Sequence, residues 1–342
     1  MSYMATIYPW GKRIEVKEGQ WLLDAALEAG VPLLYNCRVG ACGTCQVRLL
    51  SGEVDMTSDV VLSEEEIAEG YILSCRSTLK SDVEILSPSE EEIARQTGTI
   101  ERLERLASHI IHLSLKLEKP LEYQAGQYAL LSFAGLERPR AYSFASAPKP
   151  GNFKVDFFIR IVPGGEFTTW LFEKAKEGES LEIAGPFGTF GLRATEKPII
   201  AVAGGSGLAP IKAILEEVAA KGMRRPTWLF FGARRQEELF ALNTIAALEK
   251  AWAAPFVFVP VLSDEPEASS WRGERGFLHP SISRHTELPK DAEAYLCGPP
   301  PMVDAATEAL LARGLQKSAI FADKFLDTRD FLHVRKQESY AG

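Results

Sequence analysis

The sequence predicts a multidomain chain of the α+β and α/β classes, with an α+β segment, an all-β segment and a parallel α/β segment in that order. Three observations predict it. Four of the five cysteines lie in residues 1–86, short strand-like runs between turns fill residues 100–194, and strand-like and helical patterns alternate over residues 195–326. We expect a domain in each segment, a linker at 87–99 and a C-terminal tail at 327–342.

The composition excludes several classes of protein. The chain of 342 residues is 46% hydrophobic and 25% charged, a globular balance. No apolar run reaches the ~18–20 residues of a membrane span, and the first residues lack a signal-peptide pattern, so we expect a cytoplasmic protein without membrane contact. The net charge of −8 disfavours nucleic acid as a partner. Residues 1–86 hold 13 acidic and seven basic side chains, which form either a docking surface or a solvated face.

The local patterns place elements in each segment. A hairpin-like stretch precedes a short amphipathic helix with Leu22, Leu23, Ala26 and Leu27 on one face. The polar, acidic stretch 87–99 contains Pro and Gly, which favours a linker. Strands are expected in four parts of the second segment, 109–117, 128–133, 140–144 and 154–161.

In the third segment, the apolar run 198–203 predicts a strand that is buried on both faces. Helices are expected from about Ala209 to Gly222, over Glu237–Lys250 and over Met302–Arg313. None of the five histidines lies in a metal-ligand motif, and His109 and His112 are interpreted as ordinary polar strand residues.

Four cysteines have the spacing C-x4-C-x2-C…C, which is typical of a plant-type [2Fe–2S] cluster. The predicted metal ligands are Cys37, Cys42, Cys45 and Cys75. Small residues between them allow backbone N–H groups to turn toward the sulfurs. A zinc site and free thiols are the alternatives, although zinc sites usually have paired knuckles. This segment resembles a plant-type ferredoxin, and the resemblance implies a β-grasp fold.

Two motifs in the second segment suit a flavin nucleotide. Arg140-Ala-Tyr-Ser lies on an expected strand, and Gly164-Gly165 opens an expected helix about 25 residues later. A helix start offers N–H groups and a positive dipole to a diphosphate, and an arginine adds a charge-assisted contact. Each motif alone is often only a strand or a turn. The residues of these two motifs that are predicted to bind the flavin are Arg140, Tyr142, Ser143, Gly164, Gly165 and Thr168.

Two further motifs suit a nicotinamide nucleotide. Gly204-Gly-Ser-Gly207 follows a buried strand and opens a helix, so its backbone can approach a pyrophosphate, although a packed strand–helix turn is the alternative. Cys297-Gly-Pro follows another strand. Arg234 ends a strand where an arginine can accept a 2′-phosphate, so NADPH stays open beside NADH. The predicted nicotinamide-binding residues are Gly204, Gly205, Ser206, Gly207, Arg234, Cys297, Gly298 and Pro299.

In order and spacing these motifs resemble the ferredoxin–NAD(P)+ reductase superfamily over residues 100–326. The resemblance implies a six-stranded antiparallel β-barrel that binds FAD and a parallel α/β domain that binds the nicotinamide. It also implies that Tyr128 and Phe325 bind the flavin, and it implies catalytic roles for Ser143, Cys297, Asp323 and Phe325. Asp323 stands where the family usually has Glu, which puts its active-site contact in doubt.

With the ferredoxin segment in front, the whole chain resembles the reductase components of bacterial oxygenases, of the benzoate dioxygenase reductase type. The resemblance implies electron transfer from NADH to FAD to [2Fe–2S], and then to an oxygenase component or an intermediary ferredoxin. A reductase for a di-iron monooxygenase or a sugar-deoxygenating enzyme is the first alternative. A redox-sensing iron–sulfur module is the second.

Overall fold

The computed structural model describes residues 1–35, 38, 40, 43–57, 62, 64–88, 93–136 and 138–325. The chain divides into two compact units. One contains Met1–Ala94 and Phe187–Thr189, and the other contains Arg95–Pro186 and Phe190–Phe325. The expected tail, 327–342, lies outside the described residues. Among the described residues, no helix has the length and apolar character of a membrane span.

The first unit is built on a five-stranded mixed sheet. Its elements are β1 (Ser2–Tyr8), β2 (Lys12–Lys17), α1 (Leu22–Glu28), β3 (Gln46–Ser51), β4 (Val54–Met56), α2 (Glu64–Ala68), β5 (Tyr71–Leu73), β6 (Ser77–Leu79) and β7 (Val83–Leu86). The strand order is β2-β1-β7-β3-β5, with β4 and β6 in a separate ribbon. The pair β1–β2 is antiparallel and the pair β1–β7 is parallel. This mixed sheet with helix α1 in its core confirms the α+β prediction.

Helix α1 forms because its apolar residues recur on one face. Leu22, Leu23 and Ala26 are fully buried in the core of the first unit, as the pattern predicts. Leu27 is only partly buried against that core. Gly30 follows the helix with φ +70°, a conformation that glycine adopts without strain.

The second unit begins with an antiparallel sheet. Its elements are β8 (Arg95–Ala107), β9 (Ile110–Leu117), β10 (Tyr128–Ser132), β11 (Arg140–Ser143), β12 (Lys154–Arg160), α3 (Glu166–Glu173) and β13 (Ser180–Phe187). The strand order is β11-β10-β13-β8-β9-β12. Residues 95–99 fall inside the expected linker, yet they form a ladder with β13, so the sheet begins earlier than the composition suggests.

The barrel implied by the family resemblance is not closed. Strands β11 and β12 are the two edges of the sheet, and within the described ranges one isolated bridge, Phe144 to Phe157, joins them. A barrel closes where its edge strands pair along their length. Strand β11 has only four residues, so no ladder with β12 develops.

A parallel α/β sheet completes the second unit. Its elements are β14 (Ile199–Gly204), α4 (Leu208–Ala220), β15 (Thr227–Ala233), α5 (Leu242–Ala251), β16 (Phe256–Leu262), β17 (Glu274–Arg275), α6 (Leu278–Arg284), β18 (Glu293–Gly298), α7 (Pro300–Ala312) and β19 (Ile320–Lys324). The strand order is β17-β16-β15-β14-β18-β19, and every pair is parallel. Strand β14 is buried along its whole length, which confirms the interpretation of its apolar run.

The helix expected over Glu237–Lys250 begins later, at Leu242. Before it the chain makes a short 3₁₀ turn, Gln236–Glu238, and Ala241 takes a left-handed conformation with φ +56°. The interruption places Phe240 in the core with 3% exposure. Burial of a large aromatic side chain therefore outweighs the local helical pattern.

Helices cover both faces of the parallel sheet. The residues of α4 and α5 share one core cluster, and those of α6 and α7 share another. The chain runs from β14 toward β15 on one side, whereas β18 pairs on the other side of β14. The topological switch point is therefore the gap between β14 and β18, where α/β sheets bind their ligands.

A buried ionic network lies at the amino end of this sheet. The Arg225 side chain is fully buried, and its Nη2 donates to Glu293 Oε2 at 2.6 Å. The hydroxyls of Thr195 and Tyr295 donate to the same carboxylate at 2.9 Å each. The network holds the segment that enters β14.

Candidate functional site

Two of the predicted cluster ligands face each other in the first unit. Cys45 precedes β3, and Cys75 lies in the 3₁₀ turn Ser74–Arg76 between β5 and β6. Both are buried, and their Sγ atoms are 3.1 Å apart. The other two predicted ligands, Cys37 and Cys42, lie outside the described residues.

The surroundings of these two sulfurs fit a cluster. The N–H and the hydroxyl of Ser74 both donate to Cys45 O at 3.0 Å, which fixes the two cysteine turns against each other. Gly40 and Gly43 have φ +75° and +72°, conformations that favour glycine. Two buried, adjacent sulfurs match half of the thiolate donor set of an iron–sulfur centre.

The flavin motifs of the second unit come together in space. Strand β10 pairs with β11 so that Tyr128 lies opposite Ser143, and both are buried. The Tyr142 ring packs 5.2 Å from the ring of Phe167 in α3, so the strand motif and the glycine-turn motif meet. Burial raises the pKa of Tyr142, which keeps its phenol protonated near neutral pH. The Arg140 guanidinium donates to Arg138 O at 2.6 Å.

The turn before α3 can accept a phosphate group. Gly164 has φ +74°, and a Cβ on Gly165 would lie 2.7 Å from Thr168 Oγ1. The Thr168 hydroxyl accepts from Val162 N–H at 3.1 Å and donates to Gly165 O at 3.2 Å. The structure thus shows Thr168, a predicted flavin ligand, holding the turn in shape. The turn leaves the first N–H groups of α3 at the end where an anion is stabilised.

The predicted nicotinamide motifs meet at the switch point. Strands β14 and β18 are neighbours, with Ala203 opposite Cys297. A Cβ on Gly207 would lie 2.3 Å from Cys297 O, and one on Gly204 would lie 2.4 Å from Met302 Sδ. By contrast, Gly205 has φ +54° with open space around it. The glycines therefore let the two strand ends touch and leave an open turn that fits a diphosphate.

Two predicted catalytic residues lie in the last strand pair, and a third, Phe325, directly follows it. Asp323 lies opposite Cys297 in the β18–β19 ladder, and Cys297 Sγ donates to Asp323 Oδ2 at 3.9 Å. Burial, reinforced by this carboxylate, raises the pKa of the Cys297 thiol well above its usual range. The Phe325 N–H donates to Gly298 O at 2.8 Å. Despite its short side chain, Asp323 thus reaches the thiol, and Phe325 is anchored beside it.

Arg234, the residue predicted to bear on nucleotide choice, has a partner that the sequence interpretation missed. Its guanidinium pairs with the Glu238 carboxylate, and its own N–H donates to Glu238 Oε2 at 3.0 Å. The sequence does contain a pattern that could have indicated this pair. Glu238 follows Arg234 by four positions, but it lies in a stretch that was interpreted as helix.

Helix α4 also contacts the antiparallel sheet through residues that no motif indicated. Lys212 Nζ donates to Ala145 O at 2.8 Å, and Glu216 Oε2 accepts from Ala147 N–H at 3.0 Å. Lys212 and Glu216 also pair with each other at 2.5 Å. Because Ala145 follows Ser143 by two residues, these contacts connect the two motif regions within the second unit.

Comparisons with known proteins agree with this geometry. A 2Fe-2S iron-sulfur cluster binding domain matches residues 5–80, an oxidoreductase FAD-binding domain residues 97–191 and an oxidoreductase NAD-binding domain residues 201–308. The chain is 38% identical to the xylene/toluene monooxygenase electron transfer component of Pseudomonas putida, covering 92% of this chain and 91% of that one. It is 35% identical to the phenol 2-monooxygenase reductase component of Pseudomonas sp. (strain CF600), covering 96% of both.

A dioxygenase component and two solved structures are also similar. The toluate 1,2-dioxygenase electron transfer component of Pseudomonas putida is 33% identical, over 91% of this chain and 94% of that one. The Amycolatopsis cytochrome P450 reductase GcoB superposes with a TM-score of 0.70 at 32% identity, over 94% and 98% of the two chains. The ferredoxin reductase in carbazole 1,9a-dioxygenase gives 0.68 at 29% identity, over 95% and 99%.

Proposed function

The chain belongs to the family of iron–sulfur flavoprotein reductases that serve oxygenases, and we propose that it carries electrons from NADH to the oxygenase component of an aromatic ring-hydroxylating dioxygenase system. One observation carries the proposal. The cluster, FAD and NAD domain models match consecutive parts of a single chain, and the second unit joins its flavin and nicotinamide motif regions through α4.

The three groups divide the chemistry between them. When bound, the nicotinamide supplies a hydride, the flavin splits the electron pair, and the cluster carries single electrons outward. The protein binds and orients these groups. The turns at Gly165 and Gly205 offer backbone N–H groups to diphosphates, and Cys45 and Cys75 supply two of the four thiolates.

The residues around Cys297 order the nicotinamide end of the site. Because its pKa is raised, Cys297 stays a neutral thiol near pH 7, and it donates to Asp323 rather than acting as a nucleophile. The Gly298 carbonyl holds the Phe325 backbone. The buried Cys297 thiol and the partly buried Phe325 ring, which packs against the same core cluster, place apolar surface at this end of the strand pair.

The acceptor has two candidates. The toluate dioxygenase relative supports a ring-hydroxylating dioxygenase, either directly or through an intermediary ferredoxin. The xylene/toluene and phenol monooxygenase relatives support a monooxygenase as the second candidate. We propose a cytoplasmic location for either system, where NADH is supplied.

An anaerobic titration of the flavin-loaded protein with NADH tests the electron path. We expect loss of flavin absorbance together with the low-temperature EPR signal of a reduced [2Fe–2S] cluster. Flavin bleaching without the EPR signal would contradict the path to the cluster. The absence of bleaching would overturn the reductase function and favour a sensor.

Reconstitution with purified oxygenase components tests the acceptor. We expect NADH-dependent substrate oxidation with a dioxygenase component and little with a di-iron monooxygenase component. The reverse preference would establish the second candidate.

A further inference from the structure

We propose that Glu238 sets the preference for NADH over NADPH by occupying Arg234, the arginine that would otherwise accept a 2′-phosphate. The inference rests on the proposed function, because it concerns the nucleotide that donates the electrons. It assigns a specificity role to a residue that lies outside every motif identified in the sequence.

The geometry of the pair carries the proposal. Arg234 directly follows β15, at the carboxyl edge of the parallel sheet. Glu238 Oε2 accepts from the Arg234 N–H at 3.0 Å and from its Nε at 3.2 Å, while Oε1 accepts from Nη2 at 2.5 Å. The Glu238 side chain is only 11% exposed, whereas that of Arg234 is 71% exposed. Both carboxylate oxygens are therefore committed to one exposed arginine.

The neighbouring charged residues have partners of their own and do not replace Arg234 as the partner of Glu238. Arg235 pairs with Asp264 at 3.3 Å, and the Gln236 N–H donates to Glu265 Oε2 at 2.9 Å. His109, in the turn between β8 and β9, also faces Glu238. Burial lowers the pKa of His109, so its imidazole is neutral near pH 7 and Arg234 is the cation that balances Glu238.

The same strand end has room for a ligand. An open groove of about 500 Å³ is lined by Arg235, Gln236, Glu237, Glu265 and Pro266. Arg234 directly precedes Arg235 of this groove, so a 2′-phosphate bound there would draw on Arg234 for charge-assisted donors, but that guanidinium is already paired with the Glu238 carboxylate. A ribose 2′-hydroxyl is neutral and needs no such cation. The pair therefore discriminates by reducing the positive charge that Arg234 offers to an added phosphate.

Binding of adenosine 2′,5′-bisphosphate and 5′-AMP to the flavin-loaded full-length protein tests the proposal. In Glu238→Gln we expect the Kd of the bisphosphate to fall roughly ten- to hundredfold, the value of one hydrogen bond to a charged group. The Kd of 5′-AMP should change less than about threefold, and the kcat/KM ratio of NADPH to NADH should rise with bisphosphate affinity.

Glu249→Gln is the control, because it removes the same charge from the exposed surface of α5 without touching the groove lining. The double variant Arg234→Gln/Glu238→Gln should lose the gain. An unchanged bisphosphate Kd in Glu238→Gln, or an equal gain in Glu249→Gln, would overturn the proposal.

A single variant, Arg234→Gln, tests the same idea without altering Glu238. It should leave the bisphosphate Kd of the protein within about threefold, since the arginine is already occupied. A large loss would show that Arg234 binds the 2′-phosphate despite Glu238, and would overturn the proposal. These are binding readouts, so they stay informative even if NADH fails to reduce the flavin, which is the result that refutes the proposed function.

Discussion

Replacement of Gly207 by alanine should separate the two strand ends on which the proposed nicotinamide site depends. The added Cβ would lie 2.3 Å from Cys297 O and 2.8 Å from Gly298 N, whereas ordinary contact begins at 3.4 Å. The obstacle is backbone of a buried strand, so β18 must shift by roughly 1 Å. Overpacking of this kind lowers the free energy of unfolding by about 1–3 kcal/mol. Because backbone atoms cannot rotate away as a side chain can, we expect a loss near the upper end, about 3 kcal/mol.

Gly205→Ala is the matched comparison. Gly205 has φ +54° but nothing within 4 Å of a Cβ, so its substitution strains only the backbone, by about 1–2 kcal/mol. Urea unfolding followed by circular dichroism measures both free energies. In Gly207→Ala, the shift of Gly298 should also displace the anchored Phe325 and slow flavin reduction by NADH in stopped flow. Equal stabilities of the two variants, within about 0.5 kcal/mol, would refute the argument from close packing.

Three further predictions concern buried charge and reactivity. Arg225→Met should lower the free energy of unfolding in urea by about 3–5 kcal/mol, because it leaves the buried Glu293 carboxylate without its cation. The double variant Arg225→Met/Glu293→Leu should recover about half of that loss. Equal losses in the two variants would contradict this explanation. Burial alone would raise the pKa of Asp156, but hydrogen bonds from His112 and Ser114 lower it from 3.8 to about 2. The ionised carboxylate therefore stabilises the folded protein above about pH 4, and this stabilisation is lost as the pH falls toward about 2. Asp156→Asn should therefore lose about 2 kcal/mol near neutral pH and flatten that acid limb, and an acid limb identical to that of the wild type would count against the pairing. Cys297 should resist iodoacetamide in the folded protein at about pH 8 and react in urea, as mass spectrometry of its peptide would show; labelling of the folded state would disprove the shielded thiol.

Local sequence was sufficient where one element carries the signal. The run that forms β14 is apolar throughout because both faces of that strand are covered. Helix α1 was predictable for the same reason, since Leu22 and Leu23 mark one face of a single helix. In both elements the spacing of apolar residues along the sequence is enough to show which faces are buried.

Local sequence did not predict the features that depend on contacts with elements far away in the chain. Phe240 enters a core cluster made largely by other elements, and this ends the helical pattern expected before it. Strand β11 is too short to close the barrel, which depends on how far its partner extends. The hydrogen bond from Lys212 to Ala145 joins residues 67 positions apart. The spacing of residues in one sequence cannot predict a contact over that distance.

Helix α4 explains why the nicotinamide and flavin motifs need not be adjacent in sequence. Its amino end follows the glycine turn at the switch point, and Lys212, one turn further on, binds the carbonyl of Ala145 just beyond the flavin motif. A helix is stiff over one turn, so a displacement of the glycine turn is transmitted to that carbonyl with little loss. Glu216 adds a second contact one turn later, to the N–H of Ala147, which prevents the helix from pivoting about Lys212. Two polar contacts on one helical face thus hold the glycine turn before α4 and the segment that follows β11 in register.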